Sequence, residues 1–234
     1  MLLLFDIDGT LLLKASRDHA AALHAALKRV HGIDIPAGKV EAAGRTDLAI
    51  ARTILTLAGV PAERIDDRVG DVRAVTCVEY ARRCPADFSD HLAPQVAKVL
   101  DALDARDGLQ LALVTGNLEP VARLKVDRAG IGHHFPKGQG AYGSDDEDRA
   151  ALPALARARA GTLDEPYSRE RTVVIGDTPR DIACARADGV HVIAVATGPY
   201  KPSELRGADA VCAHMGEVPA ALAALDARPG LGAA

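Results

Sequence analysis

Short apolar runs recur along the chain, and each stops at a polar turn. Leu2 to Ile7 stops at Asp8-Gly9-Thr10, Leu109 to Val114 at Thr115-Gly116-Asn117, and Arg171 to Ile175 at Gly176-Asp177-Thr178-Pro179. A fourth, Val190 to Ala196, stops near Thr197-Gly198-Pro199, and Ala208 to Cys212 is a candidate fifth. None alternates apolar with polar, so these strands are buried on both faces, which requires helices on either side of a parallel sheet. The segments between them carry helical spacing. Val96, Val99, Leu100 and Leu103 follow Pro94 and precede Gly108, while Pro120 to Ala129, Asp148 to Ala160 and Pro179 to Asp188 each meet a glycine stop. The pattern predicts an α/β fold built on a doubly wound parallel sheet.

One stretch breaks the alternation. Between Ala15 and Asp90 no strand is evident; Ala21 to Val30, Leu48 to Ala58 and Ile65 to Tyr80 have helical spacing, interrupted by Gly32, Pro36, Gly38, Gly44, Gly59 and Pro61. The expected organisation is an α/β core from residues 1–14 and 91–234 and an inserted α-helical domain from 15–90, with a frayed tail around Arg228-Pro229-Gly230-Leu231-Gly232.

Composition narrows the function. The 234 residues are 48% hydrophobic and 26% charged, which suits a soluble globular chain and argues against disorder or coiled coil. Aromatic residues at 3%, no Trp and a net charge of −4 argue against nucleic-acid binding. Cys77, Cys84, Cys184 and Cys212 have no metal-ligand spacing and read as reduced thiols of a cytoplasmic protein. The apolar start meets Asp6 and Asp8 too soon for a signal peptide or a membrane span. The expected partner is therefore a small molecule, bound by a monomer or homodimer, with neither nucleic acid nor membrane involved.

Ligands of open parallel sheets bind beyond the carboxyl ends of the strands. Asp6, Asp8, Thr115 and Asp177 fall at three such ends, with Asp181 one helical turn further on. Carboxylates crowded there repel one another, and a hard divalent cation such as Mg2+, with its preference for oxygen ligands, resolves the conflict. Beside a bound phosphoryl group a carboxylate needs no base to become a nucleophile. Asp6 is the candidate nucleophile. Asp8 is the candidate acid/base, with a carboxyl pKa raised by its neighbours. Thr115 and the amides of Gly116 and Asn117 are placed to hold phosphoryl oxygens.

Phe5-Asp6-Ile7-Asp8-Gly9-Thr10-Leu11, Val114-Thr115-Gly116-Asn117 and Val174-Ile175-Gly176-Asp177-Thr178-Pro179-Arg180-Asp181 resemble motifs one, two and four of the haloacid dehalogenase superfamily. The insertion resembles the helical cap of its phosphoglycolate phosphatases and β-phosphoglucomutases. The resemblance implies that Asp6 is nucleophile and metal ligand. It also makes Asp8 the acid/base with its backbone carbonyl on the metal, Thr115 the phosphoryl binder, and Asp177 a metal ligand supported by Asp181. The usual Lys-Pro-x-Pro of motif three is missing. Arg149 stands at the equivalent place, and Lys125, in the helix after motif two, is its rival for neutralising Asp6 and the phosphate. In the cap, Gly44-Arg45-Thr46-Asp47 resembles a loop facing the active site, where Arg45 would clasp a substrate carboxylate.

Each feature also has a plainer account. Asp-Gly is ordinary turn chemistry, Thr115 would cap a helix starting near Asn117, and Asp181 would be a first-turn acid favoured by the helix dipole. Thr46 or Asp47 would be an N-cap with Arg45 solvated, His133-His134 a solvated loop, and Asp145-Asp146-Glu147-Asp148 an acidic first turn of helix. The combined expectation is a Mg2+-dependent phosphatase that hydrolyses a small phosphorylated metabolite, phosphoglycolate-like or a sugar phosphate, through an aspartyl-phosphate. The alternatives are a phosphomutase, a 2-haloacid dehalogenase, which Asp8 disfavours, and a phospho-acceptor signalling module, which the size of the insertion disfavours.

Overall fold

The computed structural model describes residues 1–35 and 40–227, so Pro36, Gly38 and the expected tail at 228–232 lie outside the described residues. Six parallel strands form one sheet in the order β3-β2-β1-β4-β5-β6: β1 Leu2–Phe5, β2 Gln110–Thr115, β3 Ala141–Tyr142, β4 Thr172–Gly176, β5 His191–Val195 and β6 Ala210–Cys212. Alternate residues feed two cores. Leu3, Phe5, Leu111, Leu113, Val173 and Ile175 pack on one face, while Leu2, Leu4, Ala112, Val114, Val174 and Val192 pack on the other. Both faces are dry, which is why the strands read as unbroken apolar runs.

Helices α4 Val96–Asp104, α5 Glu119–Arg128, α6 Leu152–Ala160, α7 Pro179–Asp188 and α8 Val218–Asp226 accompany the sheet. In α7 the local code is complete. Thr178 and Asp181 form a reciprocal capping box, Pro179 takes the first turn, and Gly189 closes the helix in the left-handed conformation at φ 71°. Two elements carried no sequence signal. β3 is only two residues long, and α8 lies beyond the last predicted strand. The helix expected from Asp148 is also divided: Arg149–Ala151 is a 3-10 turn and the α-helix begins at Leu152.

Between β1 and β2 lie α1 Arg17–His31, α2 Asp47–Leu57 and α3 Ala62–Arg83, with no strand among the described residues of that stretch. They enclose an apolar cluster of their own that includes Leu23, Leu27, Ile54, Leu55, Ile65 and Val72. The two segments that join this insertion to the sheet run side by side, Leu13 N–H donating to His91 O at 2.7 Å and Ala93 N–H to Leu11 O at 2.9 Å.

Turn geometry sets how closely the parts approach. Gly9 sits at φ +92°, and a Cβ there would lie 2.3 Å from Asp177 Oδ2. Gly116 receives the loop before α2: its carbonyl accepts from Asp47 N–H at 2.8 Å, and a Cβ on it would lie 2.1 Å from Arg45 O. That contact is backbone on backbone, so neither side has a rotamer with which to yield. Overpacking of this kind costs about 1 to 3 kcal/mol, and each kcal/mol moves the melting point of a chain of this size by about 2 to 4 °C. Gly116→Ala is expected to lower the calorimetric midpoint by roughly 2 to 12 °C; an unchanged midpoint contradicts the packing.

Candidate active site

β1 and β4 are neighbours in register, Phe5 beside Ile175, so the residues following each strand emerge together. Asp6 is the first residue past β1, not part of the strand as its apolar run suggested, although its N–H still donates to Ile175 O at 2.9 Å. Carboxylate oxygens of Asp6, Asp177 and Asp181 lie within 4.8 Å of one another, all three residues buried. One cation answers them: Arg149 Nη2 lies 3.0 Å from Asp6 Oδ1 and also contacts Asp181 Oδ1. Burial, then the neighbouring carboxylates, push Asp177 up to about 8. Burial likewise takes Asp6 to about 6, with Arg149 holding it back. The Arg149 guanidinium, penalised by burial but enclosed by Asp181 and Asp6, is held well above its ordinary value. Its Nε is buried without a hydrogen-bond partner.

Asp8 belongs to a second, separate group. Lys125, fully buried, donates from Nζ to both Asp8 oxygens at 2.8 and 2.6 Å and to Asn117 Oδ1 at 2.7 Å. Asn117 Nδ2 adds a bond to Asp8 Oδ2 at 2.9 Å. Desolvation opposes the charge on Asp8, but Lys125, then His19 and Asn117, outweigh it and hold the carboxyl below its ordinary value. The expectation that neighbours raise it is therefore reversed. Arg149 and Lys125 are not rivals for Asp6 either, because Lys125 serves Asp8 and Arg149 serves Asp6.

The second group reaches into the insertion. Lys125 Nζ is 3.2 Å from His19 Nδ1 on α1, and His19 Nε2 is 2.9 Å from Asp47 Oδ2 at the start of α2. Asp47 Oδ2 also accepts from Leu118 N–H at 2.8 Å, just ahead of α5. Neither His19 nor Asp47 was marked as a site residue by the sequence, since one reads as an ordinary helix position and the other as a cap.

Several plainer readings are settled by contacts. Thr115 does not cap α5, whose first amides go to Asp47 and, through Glu119 N–H at 3.0 Å, to Ser144 Oγ. Its own Oγ1 is 3.4 Å from Asn117 N. Thr46 is the N-cap of α2, accepting from Ala49 N–H at 3.2 Å. Arg45 is not a free solvated charge: its Nη2 donates to Ala49 O at 2.9 Å and to Thr53 Oγ1 at 2.7 Å, while the residue also lines the cavity above the carboxylates. His133-His134 is a 3-10 turn, not a solvated loop, with His134 buried and its Nδ1 3.0 Å from Asp104 Oδ2. The acidic run precedes helix α6 instead of opening it. Asp148 caps the 3-10 turn, Asp145 pairs with Arg159 at 2.7 Å, and Glu147 pairs with Arg52 of α2 at 2.7 Å.

A cavity of about 720 Å3 connects these groups, with Asp6, Asp8, Asn117, Arg149 and Asp177 at its floor and residues of α1 and α2 in its walls. Among the described residues no helix is long and apolar enough to cross a membrane, and the four cysteines are free thiols.

The chain matches the family of haloacid dehalogenase-like hydrolases over residues 3–186. It is 29% identical over 200 residues to the tyrosine-protein kinase PtkA of Mycobacterium tuberculosis, covering 84% of this chain and 62% of that one, so it spans under two thirds of that relative. It is 28% identical over 207 residues to a phosphoglycolate phosphatase of Rhodospirillum rubrum, covering 83% of this chain and 79% of the relative. Among solved structures, β-phosphoglucomutase from Clostridium difficile superposes with a TM-score of 0.67 at 14% identity, covering 97% of this chain and 99% of that one. CbbY from Rhodobacter sphaeroides, in complex with phosphate, superposes at 0.66 with 21% identity, covering 95% and 98%. Matched from β1 through most of α7, with the sheet order and strand-end carboxylates in place, the chain belongs to the haloacid dehalogenase-like hydrolases.

Proposed function

We propose that the protein is a Mg2+-dependent phosphatase that passes a phosphoryl group from a small ester to Asp6 and then to water, beneath a cap formed by the insertion. The observation that carries this reading is the division of charge at the strand ends. Asp6 faces Arg149, while Asp8, two residues on, is held apart by Lys125. In the first half Asp6 attacks phosphorus, and Asp8 hands a proton to the departing oxygen. In the second, Asp8 takes a proton from the water that attacks the aspartyl-phosphate. Lys125 favours the ionised Asp8 that this second half needs, and the proton Asp8 takes from that water is the one it gives, as a strengthened acid, to the leaving oxygen of the next turnover. Thr115, the Gly116 and Asn117 amides and Arg149 hold the phosphoryl oxygens where charge collects. A phosphomutase would need a second phosphate anchored in the insertion, where the Arg45 fork is turned onto its own helix.

The donor set fits a hard cation. Asp6, Asp177 and Asp181 supply only oxygens and outnumber the arginine among them, which adds to burial in making the first two resist ionising. Asp6, Asp177 and the Asp8 carbonyl would hold the ion. Asp181 is committed by Oδ2 to Thr178 N–H at 3.0 Å and Oγ1 at 2.7 Å, and by Oδ1 to Arg149, so it supports the site through that arginine. When bound, the cation neutralises charge on the phosphoryl group.

Three outcomes are expected. Phosphate release from a panel of phosphorylated sugars, acids and nucleotides disappears with chelator and falls at least about a thousandfold in Asp6→Asn; activity at wild-type rates in either case defeats the mechanism. The raised values of Asp6 and Asp177 mean that the folded protein without metal holds protons the unfolded chain has released. Their contribution to stability therefore declines as pH rises from 3.8 towards about 8. Mg2+ should accordingly raise the melting point more at pH 8 than at pH 5, and Asp177→Asn should stabilise the metal-free protein at pH 8 while abolishing the Mg2+ shift. Lys125→Met releases Asp8 to its desolvated value, so kcat should fall about 10- to 100-fold and the acid limb of the kcat profile, which reports the base of the hydrolysis half, should move to higher pH. A limb that stays in place removes Lys125 from the proposed role.

A further inference from the structure

Resting on the phosphatase reading, we infer that the substrate is the phosphate monoester of a bulky apolar alcohol, with the cavity above the carboxylates serving as the pocket for its leaving group. The chemistry of the chamber changes with height. Its floor is charged, while its upper walls are Leu12 and Leu13 from the crossing segment, Leu23 from α1, and Ile50, Ile54 and Leu57 from α2. Ile35 and Val40 extend the same surface. At about 720 Å3 the space suits a ring-sized group and far exceeds what a two-carbon acid would fill.

Part of the polar lining of the upper chamber is already engaged, while Ser16, the N-cap of α1, and His24 on that helix border it as well. Arg45 spends its Nη2 on Ala49 O and Thr53 Oγ1, and His19 and Asp47 face each other at 2.9 Å. Lys14 stands exposed at the rim, where a carboxylate would still compete with water. A polyhydroxylated sugar or a second anion enclosed here would give up its hydration against aliphatic side chains, which costs free energy unless hydrogen bonds replace it. A hydrocarbon group meets the opposite balance, since burying it against these walls is favourable. Leu57, 65% exposed at the end of α2, is one of the few large apolar side chains left open to water, as expected for the lip of an apolar pocket.

The test compares three primary-alcohol esters, 2-phenylethyl phosphate, glucose 6-phosphate and phosphoglycolate, so that intrinsic leaving-group ability is similar and the shape and polarity of the alcohol differ. With Mg2+ present, kcat/KM for 2-phenylethyl phosphate should exceed both others by at least about tenfold. Ile54→Asn should cut that preference at least about fivefold. Because Ile54 also belongs to the insertion's own core, Ile50→Asn, a partly buried wall position, is measured alongside and should do the same. Equal or greater efficiency on the sugar or the acid overturns the inference while leaving the phosphatase reading intact, as does an undiminished preference in folded Ile50→Asn and Ile54→Asn. Absence of phosphate release from all three esters and from the wider panel ends the phosphatase reading and this inference with it.

Discussion

The constraint on which the architecture turns is the neutralisation of carboxylates gathered in a place with little water. Asp6, Asp8, Asp177 and Asp181 crowd the ends of two adjacent strands, and an unpaired charge there costs several kcal/mol. The chain answers with two buried cations that do not share their work. Arg149 arrives from the 3-10 turn ahead of α6 and meets Asp6 and Asp181, while Lys125 arrives from α5 and meets Asp8 and Asn117. The two neighbouring aspartates thereby acquire opposite tendencies: Asp6 is pushed up to about 6 and Asp8 is held below its ordinary value. Two like groups separated by one residue can then take different parts in a reaction.

The sheet makes this possible by its order. β1 lies between β2 and β4, so a single central strand brings its two aspartates beside residues delivered from both sides. Chain direction reverses its progress across the sheet after β3, and a crevice opens where it does. Gly9 lets the turn after β1 pass against Asp177, and the capping box of α7 fixes Asp181 so that its other oxygen faces Arg149.

What the sequence revealed follows from how local each signal is. Strands buried on both faces and helices stopped by glycine are written in consecutive residues, so β1, β2, β4, β5 and α7 were legible, as were the strand-end carboxylates. β3 was not, because a two-residue edge strand has no periodicity to detect. Lys125 was legible as a candidate cation in the helix after motif two, but its partner is fixed by tertiary placement, and so its pairing with Asp8 instead of Asp6 was out of reach. The direction of the Asp8 shift failed for the same reason: counting nearby acids misses a lysine 117 positions away in the chain. Arg45 shows the same limit, since a charged residue in a loop does not disclose that its own helix takes one of its nitrogens.

The bond from Leu118 N–H to Asp47 Oδ2 has a wider meaning than its 2.8 Å suggests. A helix start leaves amides without partners inside the helix, and here one of them is satisfied by an acid that belongs to the other lobe. Next to it Glu119 N–H finds its acceptor, Ser144 Oγ, on the sheet side, so the start of α5 is held from both. The carboxylate that faces His19 beside the cavity is thus the same one that caps the start of α5, so α1 and α5 share one acceptor.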